Sequence, residues 1–246
     1  MTERTVQVFT SLEDLYQAAA VHIAEVITQA ARSRGKAYVA LSGGSTPLSL
    51  YQLLAQPPYQ TVIPWDAVHF YWGDERCVPP DHPESNYGQV KQALLDHIPA
   101  QEERIHRIKG ELEPADAASN YIRTLAESGD SANPWPRMDI TLLGMGADGH
   151  TASLFPGSIN SGEKRLPVIA VTAHYLGRPA NRVTLTPLFF NSSRNIIFLV
   201  TGQNKAQVLS TVLDGPQNPV NFPVQRIQPA DGKIIWIIDS TAAKFL

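Results

Sequence analysis

Ala37-Tyr38-Val39-Ala40-Leu41-Ser42-Gly43-Gly44-Ser45-Thr46-Pro47 is a short apolar run that breaks into two glycines and then into residues suited to begin a helix. A continuous apolar run of this kind suits a strand covered on both faces, as in a parallel sheet. The glycines let the backbone turn tightly and approach a ligand with no Cβ in the way. Ser45 or Thr46 can cap the following helix, and Pro47 suits its first turn. Exposed N–H groups and the helix dipole would then face an anion, a phosphate above all. Standing alone, the stretch reads equally as an ordinary strand-to-helix turn.

Upstream, apolar residues from Leu12 to Ala30 recur with helical spacing and predict one long amphipathic helix over 11–33, ended near Gly35. Thr10 and Glu13 have the spacing of a capping box in front of it. Downstream, apolar runs at Val68–Trp72, Met138–Leu143, Val168–Val171, Ile196–Val200 and Ile234–Ile238 predict further strands. Helices are expected between them at 47–55, 85–96, 114–127 and 204–213. This alternation predicts an α/β fold, a largely parallel sheet with helices on both faces. Residues 128–136 and Asp214–Pro223 read as polar loops, neither resembling a long flexible linker. A single domain over 1–246 is expected.

Composition narrows the function classes. The chain has 246 residues, 43% hydrophobic and only 17% charged, which implies a buried core and excludes general disorder. With 20 Lys+Arg against 23 Asp+Glu the net charge is −3, so no dominant basic field points to nucleic acid. The longest hydrophobic runs are five residues, far below the roughly 20 needed to span a bilayer. The lone Cys77 has no disulfide partner within the chain and reads as a small buried hydrophobe. The N-terminal stretch has no apolar signal core, and a soluble cytoplasmic protein is expected.

Chemistry-bearing residues gather just after predicted strands, where open α/β sheets bind ligands. Asp74, Glu75 and Arg76 arrive together after Trp72-Gly73, too crowded with charge for a fully buried turn. Asp74 could orient or deprotonate a group, and Arg76 could clamp an anion or steady an oxyanion. Alone, this cluster reads as a surface ion-pair group. In Gly144-Met-Gly-Ala-Asp-Gly-His150, glycines surround Asp148 and His150 at a strand end. An imidazole there is a candidate general base, and Asp148 could accept its hydrogen bond or shape the turn. Arg182 opens a short alternating strand, and Lys205 is expected in the first turn of a helix after the strand 196–200. The helix dipole disfavours a cation there, which points to an anionic partner for Lys205.

The seven histidines include no His-x-x-x-His pair and there is no Cys cluster, so no metal site is expected. Gly144, Gly146 and Gly149 match a dinucleotide-type glycine pattern. They lack an acidic residue after the next strand in a clean βαβ unit, so no nicotinamide cofactor is expected.

Together, Ser42-Gly-Gly-Ser-Thr-Pro47, Gly73-Asp-Glu-Arg-Cys-Val-Pro79, Glu84-Ser-Asn-Tyr87 and the Gly144–Gly157 segment closely resemble the 6-phosphogluconolactonase family. That family lies within the glucosamine-6-phosphate isomerase/lactonase superfamily. The four motifs keep the family's order from about Ser42 to Lys205. The resemblance implies a Rossmann-like fold, no cofactor and no required metal. It implies hydrolysis of 6-phospho-D-glucono-1,5-lactone to 6-phospho-D-gluconate, in the oxidative pentose phosphate pathway. Carried over by position, Ser42, Gly43, Gly44, Ser45 and Thr46 would hold the phosphate, with Lys205 and Arg182 adding charge. His150 would activate water, and Asp74, Arg76 and Asp148 would line the site, Arg76 polarising the carbonyl or steadying the oxyanion. The partner implied is a small phosphorylated sugar lactone, with no nucleic acid and no membrane, for a monomer or weak homodimer.

Two alternatives compete. The glucosamine-6-phosphate deaminase/isomerase branch is similar at Asp74 and at Asp148-Gly-His150. It carries a glutamate five residues after the histidine, where this chain has Phe155. Ring opening calls on that carboxylate, whereas ester hydrolysis by a His-activated water does not. A non-catalytic sugar-phosphate sensor would carry a helix-turn-helix segment, and the helix starting near residue 11 is expected to lead straight into the first strand.

Overall fold

The computed structural model of the chain describes residues 3–130, 133–157 and 159–246. Its first half contains β1 (Glu3–Phe9), α1 (Leu12–Arg34), β2 (Ala37–Leu41), α2 (Ser45–Leu54) and α3 (Tyr59–Val62). Then come β3 (Val68–Trp72), β4 (Asp74–Arg76), α4 (Asn86–Ala93), β5 (Ile105–His106) and α5 (Pro114–Glu127). The second half has β6 (Ile140–Leu143), β7 (Val168–Thr172), β8 (Asn181–Leu185) and α6 (Pro187–Phe190). It closes with β9 (Asn195–Val200), α7 (Ala206–Asp214) and β10 (Lys233–Asp239). The predicted elements are all present with ends moved by a few residues, and the end of the helix expected over 85–96 is a separate 3-10 turn, Leu95–His97. Ser131 and Ala132 of the predicted polar loop, and Met1 and Thr2 of the predicted N-terminal stretch, lie outside the described residues.

Seven strands form a parallel sheet in the order β1-β10-β9-β6-β2-β3-β5. From β2 the chain winds outward to β3 and β5, and from β6 it winds the other way to β9 and β10. Because such crossovers are right-handed, the reversal puts helices on both faces, as predicted. On one face Val39, Leu41, Phe70 and Leu142 meet Ile23 and Ile27 of α1 and Tyr51 and Leu54 of α2. On the other, the Tyr71 hydroxyl donates to Ser128 at the end of α5, and α5 packs on β7 and β8. The winding reverses between β2 and β6, so their carboxyl ends open a crevice.

Several expectations need correction. Ser11, not Thr10, caps α1, accepting from the Asp14 N–H at 3.1 Å, and Gly35 ends the helix with φ 72°. Gly44, not Ser45 or Thr46, is the N-cap of α2. Strand β1 went unpredicted because it is an exposed edge with a mixed sequence; only its pairing with β10 reveals it. Val168–Thr172 is a strand, but it belongs to a second, antiparallel sheet, β4-β8-β7. An apolar run reports burial on both faces and not which sheet it joins. The largest departure is β4: Asp74, Glu75 and Arg76 are not a surface cluster but a strand at most 6% exposed. Cys77 is a free thiol, half-buried rather than fully buried.

Candidate active site

The crevice between β2 and β6 deepens into a cavity on which five segments converge. These are the Ser42–Pro47 turn, the β4 residues Asp74 and Arg76, and the Gly144–His150 turn, with Arg182 at the start of β8 and Lys205 beside α7. All the predicted site residues line it except Asp148, which stands behind His150. The loop from β7 to β8 closes one side with Tyr175, Leu176 and Arg178.

His150 is held from three directions. Its Nδ1 lies 2.6 Å from Asp148 Oδ1, and the same oxygen accepts from the His150 backbone N–H at 3.1 Å. The turn is closed by Gly149 N–H to Gly146 O at 3.0 Å and Gly146 N–H to His150 O at 2.9 Å. Gly146 leaves room for the imidazole, because a Cβ there would fall on His150 Nδ1 and Cε1. Phe155 and Tyr175 flank the imidazole, each with its ring centroid 4.8 Å away. Burial would raise the Asp148 carboxyl, but the hydrogen bond and charge of His150 hold it below the usual range. An ionised carboxylate only accepts, so Nδ1 carries the proton of the neutral ring and Nε2 keeps the lone pair.

The charged strand β4 is buried with most of its polar groups hydrogen-bonded. Asp74 Oδ2 accepts from Ser153 Oγ at 2.6 Å. Glu75 accepts from the N–H groups of Arg76, Asn86 and Tyr87 at 2.8, 2.6 and 2.7 Å, and from Ser85 Oγ at 3.1 Å. It thus sits as an internal acceptor at the start of α4; burial pushes its carboxyl up to about 7 despite those donors. Arg76 donates to the Glu84 carbonyl at 2.6 Å and keeps a buried, unpartnered Nε. It pairs across the sheet with Arg182, whose guanidinium lies over the Phe155 ring at 5.3 Å. Burial lowers the Arg182 pKa, Asp74 opposes the shift, and Arg76 and Arg178 add to it. One Arg182 terminal nitrogen is buried without a partner.

At the other end, the Tyr51 hydroxyl accepts from Ser42 N–H at 3.1 Å and donates to Ser42 O at 2.9 Å, which stiffens the glycine turn. No side chain caps α2, so the N–H groups of its first turn remain for a ligand. Lys205 is the N-cap residue of α7, one position ahead of the helix in which it was expected. Burial lowers its pKa and Asp239 opposes the shift. Among the described residues no carboxylate forms an ion pair with it, and Asp239 is the acidic group whose charge acts on it.

Several cavity residues were not singled out from the sequence, among them Asn86, Tyr175 and Arg178. Asn86 stood inside a quoted motif without a role, while Tyr175 and Arg178 sit in a loop with no motif or spacing to mark them. Among the described residues no three His, Cys, Asp or Glu side chains group as a metal site, and no helix is long and apolar enough to cross a membrane.

The family model described as glucosamine-6-phosphate isomerases/6-phosphogluconolactonase matches residues 10–236. A 6-phosphogluconolactonase of Aggregatibacter actinomycetemcomitans is 41% identical over 85% of this chain and 88% of its own length. One of Synechocystis is 36% identical over 98% of each chain. The solved structure of 6-phosphogluconolactonase from Trypanosoma brucei superposes with a TM-score of 0.87 at 29% identity, covering 100% of both chains.

Proposed function

Since the chain belongs to the glucosamine-6-phosphate isomerase/6-phosphogluconolactonase family, we propose that it hydrolyses 6-phospho-D-glucono-1,5-lactone to 6-phospho-D-gluconate. The observation that carries this is His150, backed by Asp148, in a cavity shared with an uncapped helix N-terminus and an unpaired lysine. One end offers a base, and the other offers N–H groups and a cation for a phosphate.

In the proposed reaction, His150 Nε2 takes a proton from water as the water oxygen bonds to the lactone carbonyl carbon. Asp148 keeps the imidazole in the required tautomer and balances the imidazolium. Negative charge gathers on the carbonyl oxygen, and Arg76 is the donor assigned to it. Collapse of the tetrahedral intermediate breaks the bond to the ring oxygen, which takes the proton back from His150. The product acid then loses its proton to solvent. Ser42–Thr46 and Lys205 hold the phosphate, with Arg182 adding positive charge and Asp74 lining the reacting end. The enzyme would work in the cytoplasm, in the oxidative pentose phosphate pathway, as one domain over 1–246 and as a monomer or weak homodimer.

Phe155, packed on His150, supports the lactonase branch, because it leaves no carboxylate at the position the deaminases use. The test is an assay on freshly made 6-phosphogluconolactone, corrected for spontaneous opening, with and without chelator. Hydrolysis should proceed without added metal, and glucosamine-6-phosphate should be left unchanged. Ammonia release at a comparable rate would move the protein to the deaminase branch. Loss of lactonase activity in chelator, restored by zinc, would overturn the metal-free mechanism.

A further inference from the structure

The glycine turn follows β2 and Asp74 opens β4, yet one side chain touches both. The Asn86 amide nitrogen donates to the Asp74 carbonyl at 2.8 Å and lies 3.4 Å from Asp74 Oδ1. Its amide oxygen lies against Gly43 so closely that a Cβ at position 43 would fall on Asn86 Oδ1 and Cγ. That oxygen is buried without a hydrogen-bond partner. Leaving an amide acceptor unpaired inside a protein is costly, so something else must hold the amide in place. Glu75 does so, by gripping the N–H groups of Asn86 and Tyr87 and the Ser85 hydroxyl that caps α4. Inert packing would need neither a polar side chain here nor a buried carboxylate to aim it.

We propose that Asn86 is a positioning residue that keeps the glycine turn and Asp74 in register, so that phosphate binding at the turn is felt at the reacting carbonyl. This rests on the reading of Ser42–Thr46 as the phosphate site. Binding energy from a remote group raises kcat only when it is transmitted to the reacting centre; otherwise it appears in KM alone. Asn86 is the side-chain link between the two, beside the backbone bond from Gly73 N–H to Leu41 O at 2.8 Å.

The experiment compares kcat and KM for 6-phosphogluconolactone and for plain glucono-1,5-lactone, in wild type and in Asn86→Ala. Wild type should show a higher kcat on the phosphorylated substrate, and the variant should lose most of that ratio, roughly tenfold or more. Equal losses on both substrates, or no phosphate-dependent kcat gain in wild type, would overturn the proposal. Asn86→Ser, smaller but still able to donate, is the second background should the alanine variant not fold. A stability cycle checks the contact without any turnover. Gly43→Ala should lower the melting temperature in wild type and barely change it in either Asn86 variant. Equal destabilisation in all backgrounds would remove the contact and the proposal with it. A wild type without lactonase activity would instead overturn the proposed reaction, while the stability cycle would still report on the contact.

Discussion

Asp148 Oδ1 and His150 Nδ1 lie 2.6 Å apart although only one residue separates them in the chain. The glycines of the Gly144–His150 turn, with Gly149 at φ 82°, fold the backbone back on itself and make the contact possible. The pair is therefore a product of the turn, and its consequences can be measured at either residue or at the turn.

Replacing His150 by alanine should lower kcat by about 10²–10⁴-fold with little change in the fold, the usual worth of a positioned general base. Asp148→Asn should also lower kcat by a large factor, because an amide can donate to Nδ1 and favour the wrong tautomer. Steady-state kinetics on fresh lactone, with circular dichroism as the folding control, decide it. Should His150→Ala retain more than about a tenth of kcat, another group is the base.

Gly146→Ala should harm activity more than stability. The added Cβ falls on the flexible end of the pair, His150 Nδ1 and Cε1 and Asp148 Oδ1, and not on backbone. The imidazole can swing aside, which relieves the clash but breaks the alignment with Asp148. A kcat loss of about tenfold or more with a melting temperature near wild type is expected. Full activity would mean that the imidazole orientation does not matter.

Lys205→Ala removes one charge-assisted contact to the phosphate. About 1.5–3 kcal/mol corresponds to roughly 10–150-fold in kcat/KM on the phosphorylated lactone. Plain glucono-1,5-lactone has no phosphate to lose, so its turnover should barely change. The two substrates and two proteins form a cycle, and a coupling near zero would falsify the assignment of Lys205 to the phosphate. Arg182 would then be the next cation to test.

Glu75 predicts a pH dependence of stability. Burial raises its carboxyl from 4.5 to about 7, so between those values the folded state binds more protons than the unfolded state. Stability must then fall as pH rises through that window. Glu75→Gln removes the titration, so wild type should lose ground to the variant between pH 5 and pH 8. Melting temperatures at those two pH values give the result, and a constant difference would show that Glu75 titrates at its ordinary value.

The sequence by itself determined much of what one short segment can encode, though not which residues cap α1 and α2. Ala37–Pro47 reads as strand, glycine turn and helix start because backbone sterics over a few residues permit little else, and the structure has it so. The candidate pair Asp148 and His150 was legible for the same reason: its geometry is set inside a seven-residue turn. What tertiary structure alone decided lies between segments. Asp74, Glu75 and Arg76 look like solvent-facing residues until Ser153, 79 positions after Asp74, supplies its donor and β8 supplies the pairing strand. Nor does local spacing reveal that Arg76 and Arg182 are cross-strand neighbours, or that Asn86 fills the space Gly43 leaves open. A buried charge is tolerated only where distant groups complete its hydrogen bonds, and which distant groups arrive is settled by how the sheets pack.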